Sequence, residues 1–428
     1  MTKSRIAYAG MTHLGLCSAI AAAAQGFATL GFDADASLID RIAAGELPVR
    51  EPGLDDLLRT HRDRISFSAN ATALRECDLV YVAPDVPTDG TGVSDLSGID
   101  TVLDIVLANT RDDAVIVILS QVPPGFTRAR QRPGRTILYQ VETLVFGRAV
   151  ERATKPERFI LGCLNPDAAL PAAWQSFLES FGCPVLPMRL ESAELAKISI
   201  NCALAAAVTT ANTLAELCER VGADWSEIAP ALKLDARIGP YAYLAPGLGL
   251  AGGNIERDLA TVMRLSEQHG TDSGMIRAIV ANSIHRKDWA LRELHEALLA
   301  TSPQARIGVL GLAYKENTHS VKNSAALALI AQLRAWPIQA FDPAVPVSAA
   351  QHPNLTAASN ALEAARDVDA LAIMTPWPEF RELAPSDLAR IMRGRLILDP
   401  YRVLDAAAAR AAGLDYRTLG ASVVTRTG

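Results

Sequence analysis

Two doubly wound α/β Rossmann-like domains joined by an all-helical middle domain are the fold that this 428-residue chain predicts. Three observations predict it. Two β-branched runs end in glycine, RIAYAG at 5–10 and RIGVLG at 306–311, as the first βα unit of an open parallel sheet does. Strand-like and Ala/Leu-rich segments alternate around each of them, and from about 190 to 290 strand signals vanish. At roughly 150 residues per domain the length accommodates two to three domains. Boundaries are placed at 1–189, 190–300 and 301–428.

In chain order, RIAYAG is the first strand and a glycine turn follows it. The stretch LGLCSAIAAAAQGFATLGF at 14–32 follows Lys3 and Arg5 and imitates a secretory signal. Because a strand and a turn precede it, it reads as the first helix of the fold. FATLGFD (27–33), CDLVYVAPD (77–85), AVIVILS (114–120) and RTILYQ (135–140) continue the sheet. SAELAKISINCALAAAVTTANTLAELCERVG (192–222) is a long helical pattern closed by Gly222. After RIGVLG, the segments IQAFD (338–342), ALAIMT (370–375) and RLILD (395–399) are strands of the second sheet.

Half of the residues are apolar, 21% are charged and the formal charge is −6, the composition of an ordinary globular protein. No Lys/Arg-rich patch survives the neighbouring acids, so nucleic acid is not expected as a partner. No run reads as apolar and long enough to span a bilayer, so no membrane partner is expected. Cys17, Cys77, Cys163, Cys183, Cys202 and Cys218 have no CxxC or framework spacing and lie mostly in apolar runs. They read as reduced thiols of a cytoplasmic protein, and no metal centre is expected.

The residues with chemistry begin at Gly10-Met-Thr-His-Leu-Gly15. A dinucleotide fingerprint is G-x-G-x-x-G, which lets backbone approach the pyrophosphate at a helix N-terminus; here Thr12 takes the middle position. Asp33 closes the second strand, where a carboxylate hydrogen-bonds a ribose hydroxyl and favours NAD over NADP; an ordinary strand-end Asp is the alternative. Lys197 and Asn201 are four apart and share one helix face among apolar residues. A lysine there is costly unless paired or functional, although one at the helix rim can snorkel to water. Finally, GLGLAGGNIERD at 247–258 brings Gly247, Gly249, Gly252 and Gly253 directly before Asn254, a backbone suited to close approach of a ligand.

The order of these and further segments resembles the UDP-glucose/GDP-mannose dehydrogenase family from about residue 5 to residue 405. VREPGLDDLL (49–58) is similar to its EPGL segment, SQVPPGFT (120–127) to its STVPPGT loop, and VETLVFGRAVERATKPERFILG (141–162) to its PEF-x-x-EG-x-A…P-x-R-x-x-x-G stretch. AELAKISIN (193–201) resembles its Lys- and Asn-bearing helix, LDARIG (234–239) its Arg-Ile-Gly loop, GLAYKENT (311–318) its GLAFK-x-NT loop and TPWPEF (375–380) its T-x-W-x-x-F element.

The resemblance implies an NAD-binding domain, a helical dimerising middle and a C-terminal domain that binds a nucleotide sugar. Such enzymes oxidise a C6 alcohol to a carboxylate in two hydride transfers, with a Cys thiolate holding the intermediate aldehyde. Carried over position by position, Glu142 assists hydrolysis, Lys197 stabilises an oxyanion, and Asn201 with Asp258 orders a water and handles protons. By the same resemblance Gly10, Met11, Leu14, Gly15, Asp33, Pro87, Ser120, Arg257 and Lys322 contact NAD. Leu144, Arg237, Tyr243, Gly249, Lys315 and Arg402 contact substrate, Arg237 doing so in the neighbouring subunit of a homodimer.

The glycine-rich stretch aligns with the family's G-x-G-F-G-G-S-C-F-x-K-D, which puts Asn254 where the nucleophilic Cys belongs. An amide nitrogen, its lone pair delocalised, does not add to an aldehyde as a thiolate does. Thr12, Val86, Gln121 and Phe146 also depart from the family pattern, as do His319, Ser320, Lys322 and Asn323, and LDPYR (398–402) leaves Arg402 one position late. The expectation is an NAD-dependent nucleotide-sugar oxidoreductase limited to hydride transfers that need no thiol, such as a single alcohol/aldehyde interconversion. A four-electron dehydrogenase working by a thiol-independent route and a non-catalytic nucleotide-sugar binder are the alternatives.

Overall fold

A computed structural model describes residues 4–89 and 92–422. Two compact units meet between Ile200 and Asn201. The first is built on an eight-stranded sheet: β1 (Ile6–Ala9), β2 (Thr29–Phe32), β3 (Ile65–Ser68), β4 (Leu79–Val82), β5 (Val115–Ile118), β6 (Thr136–Gln140), β7 (Phe159–Cys163) and β8 (Val185–Arg189). Their order is β3-β2-β1-β4-β5-β6-β7-β8, parallel throughout except for the antiparallel β6–β7 pair. The strand order reverses between β1 and β4, the place where doubly wound sheets bind ligands at their carboxyl ends.

The central strands are apolar on both faces because both faces are covered. On β1, Ile6 and Tyr8 join one core while Ala7 and Ala9 join the other; Leu79 and Tyr81 of β4 divide from Val80 and Val82 in the same way. The His13–Ala24 helix is buried along nearly its whole length and packs into the first of these cores. Its Ala-rich, uniformly apolar composition, which imitates a leader, is that of a helix enclosed on all sides.

In the second unit, the helices Trp225–Leu234, Asn254–His269, Gly274–Lys287 and Trp289–Leu294 precede a six-stranded parallel sheet. Its strands are β9 (Ile307–Leu310), β10 (Ile338–Phe341), β11 (Leu355–Ala357), β12 (Ala370–Ile373), β13 (Leu396–Leu398) and β14 (Asp415–Arg417), in the order β11-β10-β9-β12-β13-β14. The helix Leu190–Val221 runs across the division between the units. Within the second unit it is fastened to Gly274–Lys287 by Arg286, fully buried, whose guanidinium meets Glu216 at 3.3 Å and Glu219 at 3.0 Å.

The Leu190–Val221 helix corrects one expectation. By length and composition it is apolar enough to cross a bilayer, with a mean hydropathy of 1.3 over its most apolar 18 residues. From Ile198 to Ala215 it carries no charged side chain, and the charges at both ends obscured that stretch. A long core or interface helix has the same composition.

Candidate active site

In the first unit the turn after β1 is locked. Gly10 has φ +98°, and a Cβ on it would lie 2.7 Å from Pro84 N; a Cβ on Gly15 would lie 1.9 Å from the Gly10 carbonyl oxygen. Both positions admit only glycine. Ser120, fully buried, donates its hydroxyl to Pro84 O at 2.5 Å and fixes the opposing wall. Asp33 accepts from Met11 N at 2.8 Å and from Asp35 N at 3.0 Å, so it braces the turn from the end of β2. Leu14 is buried in the first turn of the helix, and Pro87 is exposed beyond β4.

Two residues that the sequence reading did not single out complete this region. Glu51, buried, accepts from His13 Nε2 (2.8 Å), Gly147 N (2.9 Å) and Ala149 N (3.1 Å), while Phe146 stacks on the His13 ring at 4.1 Å. Asp85 accepts from His13 N at 3.1 Å and Leu14 N at 3.3 Å, the amides that open the His13–Ala24 helix. The signal for Asp85 was its place, directly beyond a central strand at the carboxyl edge of the sheet.

Further along the same edge, Lys197 Nζ meets Glu142 Oε1 at 2.8 Å, both side chains largely buried. The other oxygen of Glu142 accepts from Leu144 N at 2.8 Å. The lysine is therefore paired rather than snorkelling. Glu142 and Leu144 line a small cavity with Tyr8, Leu14 and Arg152.

In the second unit Asn201 donates its amide to Asp258 Oδ2 at 2.5 Å, and Arg257 Nε lies 3.4 Å from Asp258 Oδ1. All three are buried. The Asn254–His269 helix starts from Gly253, whose amide donates to Glu256 at 2.8 Å, and Gly252 donates to Lys322 O at 3.0 Å. A Cβ on Gly253 would lie 2.8 Å from Lys322 Cε, so the lysine stem packs on this turn. Asn254, the first residue of the helix, is exposed. Gly249 has φ +76° and sits against Ser283 O.

The remaining residues assigned to substrate lie on other segments of the second unit. Arg237, exposed, pairs with Asp235 at 2.7 Å, and Tyr243 is largely exposed. Lys315 Nζ lies 5.7 Å from the centre of the Tyr314 ring. Arg402 has φ +53° and lines a cavity with Trp225, Leu244 and Tyr401, while its guanidinium pairs with Asp224 at 2.8 Å.

All six cysteines are free. Burial pushes every one of their thiols above the ordinary range, and for Cys202 the Asp258 carboxylate adds to the effect. None is an activated thiolate.

Comparison with known proteins places this geometry. The NAD binding domain of the UDP-glucose/GDP-mannose dehydrogenase family matches residues 4–176, its central domain 191–283 and its UDP binding domain 308–406. The chain belongs to that family. UDP-glucose 6-dehydrogenase TuaD of Bacillus subtilis is 29% identical across 99% of this chain and 94% of its own length. A UDP-glucose dehydrogenase from Pyrobaculum islandicum superposes with a TM-score of 0.85 at 26% identity, covering 98% of each chain. The fold also matches a UDP-D-ManNAc dehydrogenase from Pyrococcus horikoshii, with a TM-score of 0.84 at 23% identity.

Membership makes the protein an NAD-dependent oxidoreductase of the nucleotide-sugar dehydrogenase family, with NAD as cofactor and a nucleotide sugar as substrate. The glycine turn and Asp33 fit a dinucleotide: Gly10 and Gly15 place no Cβ where the chain turns into the helix, and the Asp33 carboxylate is half-buried at the strand end.

Proposed function

We propose that this dehydrogenase interconverts an alcohol and an aldehyde on a UDP-sugar by a single hydride transfer, without a covalent intermediate. The observation that carries the reading is the exposed Asn254 at the start of its helix, together with six cysteines whose thiols burial pushes above the ordinary range. UDP-glucose, named for the Bacillus relative, is the first substrate to test.

Lys197 and Asn201 lie one turn apart on the Leu190–Val221 helix, which suits them to act on the same carbinol. The Lys197 ammonium stabilises negative charge on the substrate oxygen as its proton leaves. Asn201 and Asp258 hold the water that receives this proton, and Glu142 keeps Lys197 in place. Bound NAD supplies the hydride acceptor. With the proton on water and the hydride removed, the carbinol carbon becomes a carbonyl and the electron count closes.

The family resemblance also implies a homodimer, and the apolar face formed by Leu214, Leu217 and Val221, 40%, 55% and 64% exposed, favours a second copy as its cover. Six free thiols suit a cytoplasmic location.

The test is a titration of purified protein with NAD and UDP-glucose in the presence of hydroxylamine, which traps aldehyde. One equivalent of reduced nicotinamide per sugar, with an oxime as product, is expected. Two equivalents and a uronate would overturn the reading, and so would no turnover.

A further inference from the structure

We propose that Asp85 competes with the cofactor's diphosphate for the amides that open the His13–Ala24 helix, and so sets how tightly this chain holds NAD. The proposal rests on the NAD-binding role of this domain and not on the number of hydrides transferred.

Asp85 and Thr12 form a reciprocal clasp. The Asp85 carboxylate accepts from His13 N at 3.1 Å and from Leu14 N at 3.3 Å, one bond to each oxygen. In return the Asp85 amide donates to Thr12 Oγ1 at 2.9 Å, and that hydroxyl lies 3.4 Å from Ala83 O. Thr12 is the residue before the helix, yet its side chain accepts no bond from the helix itself. The cap is supplied from the end of β4.

These amides are the ones a dinucleotide needs. In a doubly wound sheet the diphosphate sits at the N-terminus of the helix after β1, where unpaired N–H groups and the helix dipole favour an anion. Here a carboxylate, itself an anion, already takes both bonds. A second anion cannot share the position without like-charge repulsion in a partly desolvated place.

Nor can the turn move aside. Gly10 is pressed against Pro84, Gly15 against Gly10, and Ser120 anchors the Pro84 carbonyl. The Asp85 residue as a whole is exposed, although its carboxyl is largely enclosed and burial raises its pKa. Seating the diphosphate therefore requires Asp85 to leave and the Thr12 clasp to loosen. Thr12 in the middle of the glycine fingerprint is thus more than a steric departure, since its hydroxyl holds the main chain that carries the competing carboxylate.

The experiment is calorimetric titration of the full-length protein with NAD alone, without sugar, on wild type, Asp85→Gly and Asp85→Asn, with thermal melts confirming that each is folded. Asp85→Gly is expected to bind NAD at least ten-fold more tightly. Asp85→Asn, neutral but still able to accept one amide bond, falls between the two. Equal or weaker affinity in a folded Asp85→Gly overturns the proposal. Should that variant not fold, Asp85→Asn decides: a gain supports the proposal, and wild-type affinity overturns it. Absence of NAD binding in all three proteins also overturns it, whatever reaction the enzyme performs.

Discussion

The two parallel sheets begin alike and then part. In each, the first strand ends in a glycine whose amide donates to the end of the neighbouring strand, Gly10 to Phe32 O and Gly311 to Phe341 O, both at 2.8 Å. In each, an aspartate beyond that neighbour turns back to accept amides after the glycine: Asp33 from Met11 N, and Asp342 from Leu312 N and Ala313 N. The difference lies in what comes next. After Gly10 the chain enters a helix at His13 that has no cap from its own side chains. After Gly311 it runs through a loop carrying Lys315 and reaches a helix only at Ala325, where Ser324 caps it. In the first arrangement the opening amides are held by Asp85, from beyond another strand; in the second the residue before the helix caps it. The same strand order thus serves two kinds of recognition, with the turn chemistry and not the sheet deciding which.

The largest test of this contrast is the aspartate pair. Asp342, buried, accepts four amides and the Trp377 indole N–H, whereas Asp33, half-buried, accepts two amides. Asp342→Ala is expected to destabilise the protein by about 3–5 kcal/mol. Asp33→Ala should cost about 1–2 kcal/mol and weaken NAD binding instead. Urea melts read the first quantity and calorimetry with NAD the second; equal stability losses would break the contrast.

Next in size is the pair of lysines. Lys197→Met is expected to lower kcat by about 10²–10³-fold, the loss that follows removal of a group stabilising an oxyanion. Lys315→Met, by contrast, should raise KM for the nucleotide sugar and leave kcat largely intact, as loss of uniform binding does. Steady-state kinetics with each variant distinguishes the two roles.

Much of this was legible in the sequence, and what was not shares a cause. Strands enclosed on both faces, β1, β4, β5 and β9, announce themselves as short apolar runs. Edge strands do not: β3 is half polar, β8 contains Pro187, and β11 and β14 have three residues each. The antiparallel entry of β7 has no local signal, because it depends on where the chain returns. At the site, the spacing of Lys197 and Asn201 fixed a shared helix face, but their partners Glu142 and Asp258 are set by packing across 55 and 57 positions. Asp85 had a place beyond a central strand as its signal, but its role lies in the helix start some 70 positions earlier.

Smaller effects come from acid. On the Leu190–Val221 helix, Glu194 accepts Gly125 N and Thr127 N, and burial raises its pKa; for Glu216, His285, Arg286 and Arg292 outweigh burial and lower it. A raised carboxyl makes the fold less stable as pH rises from the ordinary Glu range, near 4.3, through its own pKa. A lowered one gives stability that is complete above that range and lost as pH falls through its own pKa. Acidification should therefore first relieve Glu194 and then remove the contribution of Glu216. Melting temperature against pH checks this, with Glu194→Gln flattening the upper limb and Glu216→Gln the lower.

The smallest effect bears most directly on the two helix starts. Ser324 accepts Leu327 N at 3.4 Å and donates to Leu312 O at 2.7 Å, so Ser324→Ala removes a cap and a tie to the turn after β9 and should cost about 1 kcal/mol. Thr12 occupies the matching place before its helix but caps nothing there, since Asp85 takes the amides. Thr12→Ala loses only the bond from Asp85 N and the longer contact with Ala83 O, and should cost roughly half as much. Equilibrium unfolding of both variants decides the matter. If Thr12→Ala costs as much as Ser324→Ala, both helices are capped by the residue that precedes them, and the contrast between a helix start held by a distant carboxylate and a self-capped one fails at its origin.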